Sequence, residues 1–467
     1  AETYLLQALA LARQLQDRAQ EAEAHLNLGM NYTDRRMPAD ARKRYLKALK
    51  VARANSDLPR EARALRGLGV AARERGAPQE SLKWLQESLT VLQRLGNLLG
   101  EVETQASIIT AFYDLGAWDQ VIETAQQVLP KTEALGYRYG TGYVRHLQGL
   151  ASYTLGQYPE ARQLLGQARK DFESINASTA FMDAALGLVA EDEGNDDEAM
   201  RQYRFALSGI KPSEEKYELP VIQQDLGILL LRLEQPLEAI SLLEEVHATW
   251  IEQGDRLGRL RTEAHLGLAC LTVGSRARAE AFATNGWEEF QAGLPTGEKS
   301  QGWLWALYRL FIALDRQAEA DTILRATYAE LQRQARAIQN VDLRQSFFAR
   351  VPLNRAIVAA YDQLHPVPRT MPVFLARREA PLGRTLREDE LVPVTWTIHA
   401  PEDEAIPDKT AQRQHRLKRL LREAEARGAA PTDDDLAQAL NVSRRTILRD
   451  MEILAQELSR PPTRKRK

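Results

Sequence analysis

Residues 26–48 read Leu26-Asn27-Leu28-Gly29-Met30-Asn31-Tyr32-Thr33-Asp34-Arg35-Arg36-Met37-Pro38-Ala39-Asp40-Ala41-Arg42-Lys43-Arg44-Tyr45-Leu46-Lys47-Ala48, and the spacing of their small residues decides the fold. Gly29, Ala41 and Ala48 recur 40 positions on as Gly69, Ser81 and Ser88, then as Ile109, Val121 and Val128, then as Gly149, Ala161 and Ala168. The register continues through Gly187, Ala199 and Ala206, through Gly227, Ala239 and Val246, and through Gly267, Ala279 and Gly286. An eighth unit keeps Ala320 and Thr327, with Tyr308 in place of the glycine. Small side chains at fixed sites let a helix A approach its helix B and the next helix A, so such hairpins stack into a solenoid. Nothing in this register is chemistry. Residues 1–330 are therefore expected to be a binding scaffold.

The breaks between helices carry Arg36-Met37-Pro38, Gly76-Ala77-Pro78, Gly156-Gln157-Tyr158-Pro159 and Glu234-Gln235-Pro236. Proline is tolerated in the first turn of a helix, so these mark passages from helix A to helix B, and no strand intervenes. Leu28-Gly29 with Tyr32 and Ala41, and Leu155-Gly156-Gln157-Tyr158 with Ala161 and Ala168, resemble the tetratricopeptide family. The 40-residue period exceeds that family's usual ~34 and is similar to the lengthened repeats of bacterial regulators of the maltose-activator type. The resemblance implies an all-α, tetratricopeptide-like, right-handed superhelical solenoid over residues 1 to about 330. Ala1 and Ala8 sit 40 residues before Ala41 and Ala48, so the array is expected to open mid-repeat, in a piece of a longer polypeptide.

The chain has 467 residues, a net charge of −2 and 44% hydrophobic content, with no apolar run approaching the ~18 residues of a membrane span. No signal peptide is visible and Cys270 is alone, which excludes an intrachain disulfide and points to the cytoplasm. Charge is unevenly placed. Residues 411–467 hold 14 Lys/Arg against 8 Asp/Glu, or +6, which leaves −8 for the remainder. The end of the chain is the part suited to a polyanion, and the acidic array is suited to mask it until the groove fills.

Ala337 to Arg355 departs from the register and is similar to the stretch that closes such arrays in large bacterial signalling proteins with a nucleotide-binding module or cyclase upstream. Residues 331–364 are accordingly expected to be capping helices over the last apolar face. Seven of the 20 prolines lie between His365 and Asp408. Residues 365–410 thus read as a Pro-rich linker with one short strand, Leu391 to His399, whose alternation suggests a single buried face. Pro393 makes it an edge or isolated strand.

Residues 411–460 carry the most specific signal. Thr432 with Asp435 forms a capping-box pattern, and Leu436, Ala437 and Leu440 make an apolar stripe. Asn441 sits at a sharp turn, where asparagine tolerates the left-handed conformation. Ser443 caps a helix whose inner face is Ile447, Met451 and Leu454. With a supporting helix over about 413–427, this is a helix-turn-helix pattern. Val442-Ser443-Arg444-Arg445-Thr446-Ile447-Leu448-Arg449-Asp450 resembles the opening of the recognition helix in DeoR-type bacterial repressors. That resemblance places Arg444, Arg445, Thr446 and Arg449 in the major groove of double-stranded DNA, and Thr432 and Ser443 at phosphates. DeoR-type domains usually continue into a β-hairpin wing, and here the sequence departs from that pattern, running from Leu458 into Pro461-Pro462. Instead a basic tail over residues 461–467, with Arg464, Lys465, Arg466 and Lys467, is suited to phosphates or to a plain solubilising role. A palindromic operator would imply a homodimer, although no sustained heptad supplies one.

Gly293 to Ser300 imitates a phosphate-binding loop, but Glu298 separates Gly297 from Lys299 and helix precedes it. The seven histidines form no metal-ligand spacing, so neither metal nor cofactor is expected, and no catalytic constellation stands out. Projected through the tetratricopeptide pattern, the inner face of the array presents Arg63, Arg66 and Arg73, then Tyr113 with Asp114, then Tyr143, His146 and Tyr153, and further on Gln224, Arg232 and Trp305. Arginine and aromatic residues there suit a peptide or protein partner. Together these features describe a bacterial transcriptional regulator whose solenoid senses a ligand. Two alternatives remain open, a protein–protein scaffold and the sensory tail of a larger ATPase or cyclase.

Overall fold

A computed structural model describes residues 2–210, 218–293, 300–365, 368–381, 384–403 and 406–457. The chain divides into two compact units, Ala1–Val358 and Ala359–Lys467.

The first unit is an array of antiparallel helix hairpins: α1 (Glu2–Gln14), α2 (Arg18–Asp34), α3 (Pro38–Ala54), α4 (Leu58–Glu74), α5 (Pro78–Leu95), α6 (Leu98–Asp114), α7 (Trp118–Ala134), α8 (Arg138–Thr154) and α9 (Tyr158–Glu173). It continues through α10 (Ala180–Asp192), α11 (Asp196–Gly209), α12 (Glu218–Arg232), α13 (Pro236–Gln253), α14 (Arg256–Thr272), α15 (Arg276–Gln291), α16 (Ser300–Ala313) and α17 (Gln317–Ala337). Proline opens α3, α5 and α13, where its missing N–H costs no helical hydrogen bond. The register explains the packing. A Cβ on Gly29 would come within 2.6 Å of the Tyr45 ring, one on Gly69 within 2.6 Å of Leu85, and one on Gly149 within 2.8 Å of Leu165. The glycines thus make room for a large side chain sixteen residues later on the partner helix. Ala41, Ala48, Ala161, Ala168, Ala199 and Ala206 are fully buried between helices.

The tight turns obey a periodicity that composition hides. A left-handed residue closes the A-to-B turns at Arg36, Gly76, Gly116, Gly156, Gly194, Glu234 and Gly274, and the B-to-A turns at Gln16, Ser56, Gly96, Gly136, Asn176 and Gly254.

Past α17 the chain does more than cover the last hairpin. Two further helices, α18 (Val341–Ala349) and α19 (Pro352–Leu364), return to the middle of the array. Leu331, Ala335, Ile338, Phe347 and Ile357 share one core with Val102, Ile109, Trp118, Val121 and Leu155. The Trp118 and Phe347 rings lie 5.5 Å apart, and Asp119 accepts hydrogen bonds from the backbone N–H of Gln339 at 2.6 Å and of Asn340 at 3.1 Å. The segment closes the array onto α6–α9, as well as ending it.

In the second unit, residues 365–410 are not a linker. The expected strand is present as β2 (Leu391–His399), but it pairs antiparallel with a strand the sequence reading missed, β1 (Arg369–Ala376), in a two-stranded hairpin. Pro372 and Pro393 both sit in this hairpin, where each strand has a free edge that tolerates a missing donor. Three helices follow, α20 (Lys409–Ala426), α21 (Asp433–Ala439) and α22 (Arg444–Glu457). Leu375, Val394 and Trp396 of the hairpin share a core with Leu417, Leu420, Leu436, Ile447 and Met451. The Trp396 indole N–H donates to the Leu420 carbonyl at 2.9 Å.

Candidate functional site

In the second unit Thr432 caps α21, accepting from the Asp435 N–H at 3.2 Å while Asp435 accepts from the Thr432 N–H at 2.8 Å. The Thr432 hydroxyl also donates to Asp435 at 2.7 Å, so the cap, rather than a phosphate, already occupies it. Asn441 makes the turn with φ 51°, the left-handed conformation its side chain tolerates. Ser443 then accepts from the Thr446 N–H at 3.2 Å and opens α22. Ile447, Met451 and Leu454 are buried, whereas Ser443, Arg444, Arg445, Leu448 and Arg449 are exposed and Thr446 is half-buried. Arg444 leans toward Asp433 and Asp434 at 3.8 and 3.7 Å, a loose surface contact.

Much of the positive charge in this unit is already committed. Asp403, fully buried, accepts from Arg416 Nε at 3.0 Å, from Arg419 Nη2 at 2.6 Å and from the Ala400 N–H at 2.8 Å, with His415 Nδ1 at 3.1 Å. Although burial opposes ionisation, these partners outweigh it and hold the Asp403 carboxyl well below the usual carboxylate range. Asp450, also fully buried, takes Arg413 Nε at 2.5 Å and Nη2 at 3.1 Å, tying α22 to α20. Three arginines of α20 therefore hold the unit together, and the exposed ones of α22 are the better candidates for a partner. Arg464, Lys465, Arg466 and Lys467 lie outside the described residues.

Among the described residues of the array, two hollows share Tyr139 and Tyr143. The larger, about 680 Å³, gathers Tyr113, Tyr143, His146 and Tyr153 of the expected groove residues. Around them stand Tyr139, Phe172, Phe181, Met182, Ile222, Asp225, Arg261, Gln301 and Leu353, none of which the sequence reading singled out. A cluster of tyrosines at 137, 139 and 143 was the one visible hint. Tyr139 and Tyr143 stack with their ring centroids 6.4 Å apart. Burial holds His146 down to about 4, so its imidazole is neutral at ordinary pH, and Nδ1 has no hydrogen-bond partner. Asp225 pairs with Arg261 at 2.9 Å, and Gln301 donates to Asn354 at 2.6 Å.

The smaller hollow, about 250 Å³, holds Arg66 and Arg73, each already paired, Arg66 with Glu103 and Arg73 with Asp114 at 3.5 Å. The remaining expected residues do not converge with these. Arg63 pairs with Glu23 at 2.9 Å on a more exposed surface. Gln224 is buried and donates to the Gly258 carbonyl at 3.0 Å, a bond between helices. Arg232 engages Asp196, and Glu191 at 3.5 Å. Trp305 packs against the closing core.

No group of three or more His, Cys, Asp or Glu among the described residues is arranged to hold a metal ion, and no described helix is long and apolar enough to cross a membrane. Of the loop resembling a phosphate site, residues 294–299 lie outside the described residues.

Residues 20–94 and 146–214 match tetratricopeptide-repeat families. The first unit is a tetratricopeptide-like repeat array. Residues 359–464, nearly the whole second unit, match a family described as a protein of unknown function, DUF1670, a description that names no helix-turn-helix. No curated protein matches the chain. Among solved structures, the apo form of the quorum sensor NprR from B. thuringiensis aligns with a TM-score of 0.50 at 13% identity, covering 71% of this chain and 97% of that one. The Rap conjugation gene regulator of the plasmid pLS20, in complex with the Phr* peptide, aligns at 0.47 and 16% identity, covering 65% of this chain and 79% of that one. A Rap protein complexed with Competence and Sporulation Factor aligns at 0.47 and 13%, covering 74% of this chain and 99% of that one. At such identities the likeness is one of fold.

Proposed function

We propose that this tetratricopeptide-repeat protein is a transcriptional regulator. Its array takes a peptide or protein segment on the inner face, and its C-terminal trihelical unit binds double-stranded DNA through α22. The observation that carries the reading is the division of α22. Ile447, Met451 and Leu454 are buried in the core, while Ser443, Arg444, Arg445 and Arg449 face solvent along its N-terminal half. A helix N-terminus attracts phosphate, and exposed arginines one turn apart suit guanine edges in a major groove. The tight turn at Asn441 and the small Ala437 support the same reading.

The test is selection of random duplexes by the full chain at two salt concentrations, followed by sequencing. One enriched motif whose retention falls steeply with salt is expected. Absence of any motif at either salt overturns DNA recognition.

A second reading has its own support. Leu448 and Ile453, about 40% exposed on α22, are apolar where a phosphate backbone offers them nothing. Docking of this unit to another protein would cover them. Capture of that partner surviving Arg445→Ala with Arg449→Ala would favour this scaffold role.

A further inference from the structure

The larger hollow is a half-open chamber of limited volume. Tyr143 and His146 of α8 form one side, and Gln301 and Gly302 of α16 with Leu353 of α19 form another. Gln301 is fixed by Asn354, which itself donates to the Phe347 carbonyl at 2.8 Å, so the segment that closes the array also supplies a wall of the chamber. The hollow is half open, and its volume of about 680 Å³ falls within the roughly 300–1,000 Å³ of sites that take a drug-sized molecule, room for a few side chains of a guest rather than for a long segment.

Its chemistry is as restricted as its size. Most of the lining is aromatic or aliphatic, and two of its aromatic side chains, Tyr139 at 50% and Phe181 at 46%, remain exposed where an interior residue would be covered. Among the described residues, charge in the lining is confined to Glu218, Asp225 and Arg261, of which Asp225 and Arg261 neutralise one another. Away from those residues a charged guest would shed water without gaining a counter-ion, which is unfavourable. His146 supplies a neutral imidazole to the lining, able to hydrogen-bond a main-chain group without carrying charge.

Building on the regulator reading above, we propose that the chamber binds a short, predominantly apolar peptide, with aliphatic or aromatic side chains among Tyr139, Tyr143, Phe172 and Phe181 and its backbone on His146. A highly charged segment does not suit this lining.

Gly302 provides a selective block. A Cβ there meets only the Arg261 Nε, at 3.9 Å, so Gly302→Leu places a side chain in the chamber without a clash at its root. Gly166, also helical, has nothing within 4 Å of an added Cβ and lies outside the chamber, so Gly166→Leu is its matched control. The experiment incubates the full chain with a pool of random-sequence hexapeptides, separates complexes by size exclusion and reads the retained peptides by mass spectrometry.

Retained peptides enriched in Leu, Ile, Phe and Tyr at two or more positions, with Asp and Glu depleted about tenfold, are expected. Gly302→Leu should lower retention at least tenfold at unchanged Tm, Gly166→Leu should preserve it, and His146→Phe should weaken the best peptide about tenfold. Retention of charged peptides as readily as apolar ones, or indifference to Gly302→Leu, overturns the proposal while leaving a peptide-binding array standing. Retention of no peptide by the unsubstituted chain overturns the proposal and leaves the array, in the regulator reading, only a protein segment to take.

Discussion

The carboxylate of Asp119, in the first turn of α7, accepts the backbone N–H of Gln339 at 2.6 Å from a residue 220 positions away. In a simple repeat array each hairpin touches only its neighbours, and stability adds along the stack. This bond and the Trp118–Phe347 contact beside it break that rule, because they make the third and fourth hairpins depend on the end of the array. Closure of this kind turns a one-dimensional stack into a cooperative unit and sets a wall on the chamber.

Removing the acceptor tests that dependence. Asp119→Ala leaves two backbone donors at the entry to α18 without their carboxylate, and a hydrogen bond to a charged group contributes roughly 1.5–3 kcal/mol. Amide exchange over residues 339–358 should accelerate, while exchange in α2–α4, remote from the contact, should stay as it was. Unchanged protection of 339–358 would show that the apolar contacts hold the closure alone.

Two glycines with nearly the same backbone measure the closure independently. Gly76 (φ +73°) and Gly156 (φ +75°) occupy equivalent turns, and a side chain at either carries the left-handed strain of about 1–2 kcal/mol. At Gly76 an added Cβ meets nothing within 4 Å, whereas at Gly156 it meets Arg350 Cβ at 2.7 Å and the Ser346 carbonyl at 3.3 Å. Gly156→Ala should therefore destabilise the array by more than Gly76→Ala in parallel denaturant titrations. Equal losses would mean that the closing segment moves aside freely.

The repeats were legible because their signal is local and recurs: Gly29, Ala41 and Ala48 mark one hairpin, and the next restates them. The strand at 391–399 was legible from alternation. Its partner was not, since Arg369–Ala376 buries only Leu375 and Ala376 at one end and shows little pattern. The closing contact left no trace, because Asp119 and Gln339 are related by three-dimensional return and not by period. Charge misled in a different way. Arg413, Arg416 and Arg419 count toward the basic end of the chain, yet Asp450 and Asp403 consume them inside the fold. On the inner face, the projected helix positions found four chamber residues, but they could not supply Phe172 of a helix B or Leu353 of the returning α19.

Glu191 makes the array's stability depend on pH. Burial raises its carboxyl from 4.5 to about 7, against the opposing pull of Arg232 and of the Tyr203 hydroxyl, which donates to it at 2.9 Å, with Asp225 and Asp192 adding to the rise. The folded state then binds the proton more tightly than the unfolded chain. This contribution is complete below about 4.5 and is lost as pH climbs through about 7. Glu191→Gln keeps an acceptor for Tyr203 and removes the titration. Thermal melts should show the variant gaining on the parent protein between pH 5 and pH 8 by roughly 1–3 kcal/mol. A constant difference across that range would assign the group an ordinary carboxylate titration.

The arginines of the second unit divide into those that hold the fold and those left for a partner, and substitution should separate them. Arg413→Met strands the fully buried Asp450, and removing one member of a buried pair costs about 3–5 kcal/mol. The double replacement Arg413→Met with Asp450→Leu should recover most of that loss, because neither charge then remains unpaired. Arg445 and Arg449 are exposed, so replacing both with alanine should leave the melting of the unit within about 0.5 kcal/mol. If α22 reads a major groove, the same two changes should cost about 1–3 kcal/mol of DNA affinity for each base edge no longer read. Melting curves and duplex titrations on one set of proteins separate these effects. A variant lacking Arg445 and Arg449 that melts normally and binds its selected duplex undiminished would remove α22 from the DNA interface.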